Sequence, residues 1–132
     1  MPDLYLAILP AAQRKLWTRL QGKSRFLKQN GYYLAGGTAL ALQLGHRSSE
    51  DFDFFSQKPR LGESTRRWLE GFPQLVVRDF HEDTIHGDIA RVKVSFISAY
   101  KYPTLKPLKQ AGGVSMADVL DIGLMKLLAL TH

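Results

Sequence analysis

The spacing of apolar residues along the chain predicts helical segments that alternate with short strands. Apolar residues recur every three or four positions in the helical segments, which cover residues 11–29, 39–44, 63–70 and a last segment that begins after Ser115. The first segment is one helix or two, because Gly22 is a breaker within it. Alternating or continuous apolar runs predict strands over residues 32–35, 51–55, 75–80 and 89–97. We therefore expect an α/β (α+β) fold, with a small mixed β-sheet flanked by helices.

The second half of the chain contains two connections and a final helix. Residues 81–87 are polar and are predicted to form the turn of a hairpin between the last two strands. Residues 100–113 are rich in Lys, Pro and Gly and are predicted to be a basic loop. Ser115 is predicted to cap the final helix, with Asp118 in its first turn. Because that helix is apolar at most positions, we expect it to be mostly buried.

The composition is that of one globular domain over residues 1–132. A hydrophobic fraction of 45% and a charged fraction of 23% exclude a disordered chain. No apolar stretch approaches the roughly 20 residues that a bilayer requires, so no membrane partner is expected. The chain has no cysteine, which excludes a thiol nucleophile and suits a reducing cytoplasm. The formal net charge of +6 favours an anionic partner such as a nucleotide or a nucleic acid.

Two adjacent glycines separate the first predicted strand from the next helix. Gly36 and Gly37 allow the backbone to approach a ligand closely. The helix that follows offers unpaired N–H groups to an anion, and the hydroxyl of Thr38 adds a further donor. Without context the same glycines are a tight strand-to-helix turn, and both interpretations stay open on this pattern alone.

Asp51 and Asp53 lie two residues apart on a predicted strand, so their side chains are expected on one face. Phe52 and Phe54 then face the core on the other side. Two neighbouring carboxylates repel each other unless they are solvated or share a cation, and Mg²⁺ bridges protein carboxylates to substrate phosphates. A solvated polar face on an edge strand is the alternative. Arg47, just upstream, together with the glycine turn favours a binding site.

The stretch over residues 34–55, LAGGTALALQLGHRSSEDFDFF, resembles the AbiEii/AbiGii-type family of nucleotidyltransferase toxins, within the polymerase β-type nucleotidyltransferase superfamily. In that superfamily a Gly-Gly or Gly-Ser turn opens a helix, and an Asp-x-Asp strand follows after a short gap. The resemblance extends more weakly through the strand around Val94 and through the final helix. It covers roughly residues 30–131.

The resemblance implies a role for each matching residue of the first block. Gly36, Gly37 and Thr38 would hold the triphosphate of a nucleoside triphosphate. Asp51 and Asp53 would bind the catalytic Mg²⁺, or Mn²⁺ in its place.

Two basic residues would complete the nucleotide site. The resemblance implies that Arg47 contacts phosphate or orients the carboxylate pair, whereas a surface ion pair with Glu50 is the alternative. Lys126 occupies the position of a lysine on a helix after the sheet, and it would touch the nucleotide. A solvated lysine on an otherwise apolar helix is the alternative for that residue.

The chain departs from the superfamily pattern in two respects. The third carboxylate that deprotonates the attacking hydroxyl is expected on the later strand, where this chain has Ser95. Serine is a poor Mg²⁺ ligand and is no base near neutral pH, and Asp88 would replace it only in another register. In addition, the family carries further Arg and Asp motifs after the helix of Lys126, in a C-terminal helical extension that residues 1–132 lack.

The four histidines show no spacing typical of metal ligands. His81 and His86 fall in or near the predicted polar turn and are expected to be exposed. His46 adjoins the glycine turn, and His132 ends the sequence.

The resemblance implies a Mg²⁺-dependent enzyme that transfers a nucleoside monophosphate from a nucleoside triphosphate to a hydroxyl of RNA, such as tRNA, or of protein. It would be the toxin of a toxin–antitoxin or phage-defence system, with a cognate antitoxin as partner. The basic segment 101–109 could hold a nucleic-acid acceptor. The alternative, favoured by Ser95, is a catalytically impaired nucleotide- or RNA-binding module with the same fold. A basic RNA-binding domain with an incidental Asp-x-Asp is a third hypothesis.

Overall fold

A computed structural model of the chain describes residues 4–130 and contains a seven-stranded mixed sheet. His132, the last of the four histidines, lies outside the described residues. The helices are α1 (Ala11–Gly22), α2 (Ser24–Gln29), α3 (Gly36–Leu44), α4 (Gly62–Leu69) and α5 (Val119–Leu130), preceded by a short 3-10 helix over Leu6–Ile8. The strands are β1 (Tyr33–Ala35), β2 (Phe52–Phe55), β3 (Leu75–Phe80), β4 (Thr84–Ile89), β5 (Val92–Ile97), β6 (Lys109–Ala111) and β7 (Val114–Met116). This architecture confirms the predicted fold class.

The strand order is β3-β4-β5-β2-β1-β7-β6, which places β2 and β1 at the centre of the sheet. β1 and β2 are antiparallel, whereas β2 pairs in parallel with β5 and β1 pairs in parallel with β7. Each of the two central strands is therefore paired on its outer side with a strand from a distant part of the sequence. Within the described residues, no helix is both long and apolar enough to cross a bilayer.

The predicted alternation along β2 is confirmed. Phe52 and Phe54 are fully buried. On this face of the sheet, Phe52 packs near Trp17 of α1, and the rings of Phe54 and Phe96 stack with their centroids 5.0 Å apart. Asp53 is half-buried on the opposite face. The aromatic core thus fixes the strand that carries the candidate acidic residue.

The first half of the chain follows its sequence pattern closely. The predicted break near Gly22 is confirmed, because α1 ends there and α2 begins at Ser24. Gly45 adopts a left-handed conformation with φ of +64°, and its N–H donates to the Ala41 carbonyl at 2.7 Å. It therefore ends α3 as the predicted C-terminal glycine.

The predicted hairpin over residues 75–97 is wrong, because three strands form a meander there. Part of the expected polar turn is the beginning of β4, in which Ile85 is buried on the core face. The tight turn lies instead at Ala90 and Arg91, which both adopt positive φ angles, 50° and 67°. Such two-residue turns favour Asn-Gly or Gly-rich pairs, so the local sequence gives no signal for this one.

The expectations for the C-terminal segment also need correction. Ser115 lies in β7 and does not cap a helix, because β6, at the end of the predicted loop, forms a hairpin with β7. α5 begins at Val119, and the carboxylate of Asp118 accepts the Leu120 N–H at 2.9 Å. α5 is also not mostly buried, since Leu127 is 61% exposed. The apolar pattern predicts the helix correctly but overestimates how much of the helix surface is buried.

Asp118 should therefore be the residue that stabilises the start of α5. Its carboxylate accepts from Leu120 N–H and lies 3.5 Å from Lys109, and the backbone hydrogen bond holds the pKa of Asp118 below its ordinary value. We expect Asp118→Ala to lower the melting temperature by a few degrees near neutral pH. The difference should shrink as the pH falls through the lowered pKa, because the wild-type contribution is lost there. Thermal melts against pH check this, and equal melting temperatures near neutral pH would contradict it.

Candidate functional site

The N-terminus of α3 packs directly on the carboxylate of Asp53. Ala35 and Asp53 are partners in the antiparallel β1–β2 pair, and α3 begins at the next residue, Gly36. Gly36 has a φ of +70°, and a Cβ atom there would lie 2.6 Å from Asp53 Oδ2. Only glycine allows this approach. The first N–H groups of α3 have no intrahelical acceptor, and no side chain caps this end of the helix among the described residues.

Thr38 connects the glycine turn to the segment before β2. Its side chain is fully buried, and its hydroxyl donates to the Asp51 carbonyl. The same oxygen accepts from Gln13 Nε2 at 3.1 Å and lies 3.1 Å from the Ser49 hydroxyl. In this arrangement the Thr38 side chain fixes the position of Asp51. The backbone N–H of Thr38 belongs to the open first turn of α3.

Gln13 is a positioning residue that the sequence analysis missed. It is 1% exposed, and its side-chain amide contacts Thr38 and, at 3.4 Å, the Asp51 carbonyl. A signal was present, because Gln13 continues the apolar spacing of Leu16 and Leu20 on α1. A polar residue at such a position needs a buried hydrogen-bond partner.

The two acidic residues of the Asp-x-Asp motif lie close together but in different environments. Asp51 is exposed and precedes the first residue of β2, so the prediction that both lie on the strand is wrong for Asp51. Burial is the main cause that raises the pKa of Asp53, and the charge of Asp51 raises it further. A hydrogen bond from Ser95 and the proximity of His86 act in the opposite direction. A nearby cation would relieve the repulsion between the carboxylates.

Ser95 lies beside Asp53, at the position the sequence analysis assigned to it. The two residues are partners in the parallel β2–β5 pair. Asp88 does not take this position, because it pairs with Lys93 across β4 and β5, and its carboxylate accepts from Arg78 Nε at 2.6 Å. Within residues 4–130, no group of three acidic or histidine side chains is placed to hold a metal ion. No third carboxylate therefore joins Asp51 and Asp53 in the described part of the chain.

His86 is a second residue that the sequence analysis missed. It lies on β4 directly opposite Ser95, and its Nδ1 is 2.8 Å from the Ser95 hydroxyl. The side chain is half-buried, which corrects the expectation of an exposed turn residue. The only available signal was a weak alternation of apolar and polar residues over 84–89, which Gly87 interrupts.

A small cavity brings Lys126 to the glycine turn. It has a volume of about 200 Å³ and lies between α3 and α5, where its lining comprises Gly36, Gly37, Leu40, Phe55, Ile122, Met125 and Lys126. Lys126 is exposed at this position. The structure thus joins two predicted site elements that lie ninety residues apart in the sequence.

Arg47 lies on the other side of the same turn. A side chain at Gly37 would begin 3.5 Å from Arg47 Nη2. The exposed guanidinium donates to the Ser48 carbonyl at 3.3 Å, and the described residues contain no ion pair between Arg47 and Glu50. The surface ion pair considered as an alternative is therefore wrong. His46 is exposed nearby.

Comparison with solved structures defines the class to which this fold belongs. A candidate nucleotidyltransferase of Helicobacter pylori matches 89% of this chain and 57% of its own, with a TM-score of 0.57 and 20% identity. A candidate nucleotidyltransferase of Thermotoga maritima matches 89% of this chain and 86% of its own, with a TM-score of 0.56 and 15% identity. The fold is that of the nucleotidyltransferases.

The sequence then identifies the family. A sequence model of the AbiEii nucleotidyl transferase toxins, of the Type IV toxin–antitoxin systems, matches residues 19–129, and the chain belongs to this family. An uncharacterized protein of Aquifex aeolicus is 38% identical over 107 residues, which are 78% of this chain and 52% of that protein. The chain thus spans about half the length of this relative and of the Helicobacter pylori protein.

Proposed function

We propose that this chain carries the nucleotide site of a Mg²⁺-dependent nucleotidyltransferase toxin. The enzyme transfers a nucleoside monophosphate from a nucleoside triphosphate to a hydroxyl group of RNA or protein. One observation carries the proposal: the open N-terminus of α3 begins at Gly36, whose backbone lies against the carboxylate of Asp53. Donors for phosphate and ligands for a cation are thereby adjacent.

The residues at this point suit Mg²⁺ or Mn²⁺. Both ions prefer oxygen ligands, and Mg²⁺ usually binds through one or two carboxylates together with substrate phosphates and water. Asp51 and Asp53 are two such carboxylates, and their mutual repulsion contributes to the raised pKa of Asp53. When bound, the ion would neutralise phosphate charge and polarise the phosphorus under attack.

The groups of the chain itself would bind and orient the triphosphate. The N–H groups of Gly36 and Gly37 donate to phosphate oxygens, and Arg47 and Lys126 supply positive charge on either side of the turn. Thr38 acts through its neighbours, since its hydroxyl holds the Asp51 carbonyl. In the reaction the acceptor oxygen bonds to the α-phosphorus, the bond from the α-phosphorus to its bridging oxygen breaks, and pyrophosphate leaves.

The acceptor would bind at the basic segment 101–109, and RNA, including tRNA, is the proposed class. Lys101 lies 5.1 Å from the centre of the Tyr102 ring, and Tyr100 packs edge-on against Tyr102. Alternating cations and aromatic rings suit single-stranded nucleic acid. A cognate antitoxin is the proposed protein partner, in keeping with the family, and the cytoplasm is the proposed location.

A second candidate function is favoured by one observation. Ser95 stands beside Asp53 where the superfamily pattern has a third carboxylate. This favours a catalytically impaired module that binds nucleotide or RNA without transfer.

Label transfer from each α-³²P-labelled nucleoside triphosphate to total RNA and to protein tests the proposal. The protein is assayed with Mg²⁺, and Asp53→Asn is the matched inactive variant. We expect labelling with one nucleotide that requires Asp53. Nucleotide binding without labelling would establish the impaired module instead. RNA binding that ignores both nucleotide and Asp53→Asn would overturn both in favour of a basic RNA-binding domain.

A further inference from the structure

His86 and Ser95 form a polar pair next to Asp53 on the open face of the sheet. β4, β5 and β2 are adjacent strands, and His86, Ser95 and Asp53 are successive partners across them. Paired residues project from the same face, so the three side chains lie in a row. His86 Nδ1 is 2.8 Å from Ser95 Oγ, and Ser95 is the strand partner of Asp53.

The contact between Nδ1 and the Ser95 hydroxyl allows two tautomers of neutral His86, in which Nδ1 either donates to the hydroxyl or accepts from it. Ser95 has a single hydroxyl proton, and the ionised carboxylate of the neighbouring Asp53 attracts it. This favours the tautomer in which Ser95 Oγ accepts from His86, with the ring proton on Nδ1 and the lone pair on Nε2. A histidine in this tautomer can accept a proton at Nε2.

The His86–Ser95 pair lies where the proposed reaction needs a proton acceptor. The reaction proposed above releases a proton from the acceptor hydroxyl, and within residues 4–130 no third carboxylate lies beside Asp51 and Asp53 to take it. The side chain of Ser95 is short, and the imidazole of His86 on the next strand contacts its hydroxyl. Asp88 is excluded as the proton acceptor because its carboxylate accepts a hydrogen bond from Arg78.

We propose that His86 is the proton acceptor of the transfer reaction and that Ser95 fixes its tautomer. This inference rests on the proposed function. As the acceptor oxygen bonds to the α-phosphorus, its proton moves to His86 Nε2, and pyrophosphate leaves with the electron pair of the broken bond. The released proton is thereby held on His86 as an imidazolium ion.

The primary test is His86→Ala, with chemical rescue. We expect the variant to bind nucleotide like the wild type and to lose about 10²-fold or more in transfer rate. Added imidazole should restore part of that rate, because it can occupy the space left by the side chain. His81→Ala is the matched control, since His81 is exposed and its Nε2 lies 3.0 Å from Asp79 Oδ1, outside the candidate site. It should keep the full transfer rate and show no response to imidazole.

A second variant tests the same idea by a different route. Ser95→Asp places a carboxylate beside Asp53, and in the His86→Ala background it should recover transfer, because the base is then supplied at position 95. Thermal melts check that each variant is folded.

The outcomes separate this inference from the function on which it rests. Full transfer by His86→Ala, while Asp53→Asn is inactive, would overturn the role of His86 alone. A loss that neither imidazole nor Ser95→Asp repairs would assign His86 a structural role and also overturn the inference. Absence of transfer by the wild-type protein would overturn the proposed function and this inference together.

Discussion

Asp53→Asn should remove transfer activity and, in the absence of divalent ions, make the protein more stable. Asparagine has nearly the same shape, and its amide oxygen can accept a hydrogen bond from Ser95, the neighbouring residue on β5. It cannot supply the negative charge that a cation requires. We expect the transfer rate to fall by more than about 10²-fold.

The gain in stability follows from the raised pKa of Asp53. Burial and the charge of Asp51 disfavour the ionised carboxylate in the folded protein. The stability linked to this group is therefore complete below the ordinary carboxyl pKa and is lost as the pH rises through the raised value. Near neutral pH the wild type carries this penalty and Asp53→Asn does not. The variant should melt at a higher temperature there, and the difference should disappear in acid.

Thermal melts without divalent ions, measured across this pH range, check the second effect. Asp79→Asn is the control, because Asp79 is an exposed carboxylate outside the site. A lower melting temperature for Asp53→Asn near neutral pH would show that Asp53 has a favourable structural role. Undiminished transfer would show that its charge is not needed.

Gly36→Ala should damage both the fold and the site. The methyl group would lie 2.6 Å from Asp53 Oδ2, and the backbone would have to keep a φ of +70°, which costs roughly 1–2 kcal/mol for a residue with a Cβ atom. Relief of the clash requires the helix N-terminus and the carboxylate to separate. We expect nucleotide affinity and transfer to fall together, and the free energy of unfolding to decrease by at least the backbone cost.

Gly123→Ala provides the matched control for this substitution. Gly123 lies within α5, and nothing lies within 4 Å of the position that a Cβ atom would take. This substitution should stabilise the protein by about 0.5–1 kcal/mol and leave transfer unchanged. Denaturant unfolding and nucleotide titration of both variants measure the contrast. Equal behaviour of the two alanines would contradict a specific role for Gly36.

The local parts of the candidate site could be predicted from the sequence because they are encoded by neighbouring residues. The two glycines before a helix predict the turn, and the alternation along β2 predicts which face carries Asp53. The pairing of Asp53 with Ser95 followed from the family resemblance. The periodicity of a segment does not show which strand it pairs with, so periodicity alone could not have predicted that pairing.

His86 escaped prediction for a physical reason. Gly87 interrupts the alternation of β4, and the turn after it uses Ala90 and Arg91 at positive φ, without the glycine or asparagine that normally marks such a turn. The burial of α5 was overestimated for a related reason. Periodicity reports which residues are apolar, but the packing of other elements decides whether Leu127 is covered.

The parallel pairing of β1 with β7 has a consequence for synthesis of the protein on the ribosome. Leu34 pairs with Met116, so β1 is made long before its neighbour exists, and β2 likewise waits for β5. An isolated two-stranded sheet is marginal in water, and distant pairings form late because a long loop must first close. The glycine turn and Asp53 therefore reach their mutual positions only when most of the chain has emerged. A nascent or prematurely terminated chain would contain the Gly-Gly and Asp-x-Asp motifs, but Gly36 and Asp53 would not be held against each other.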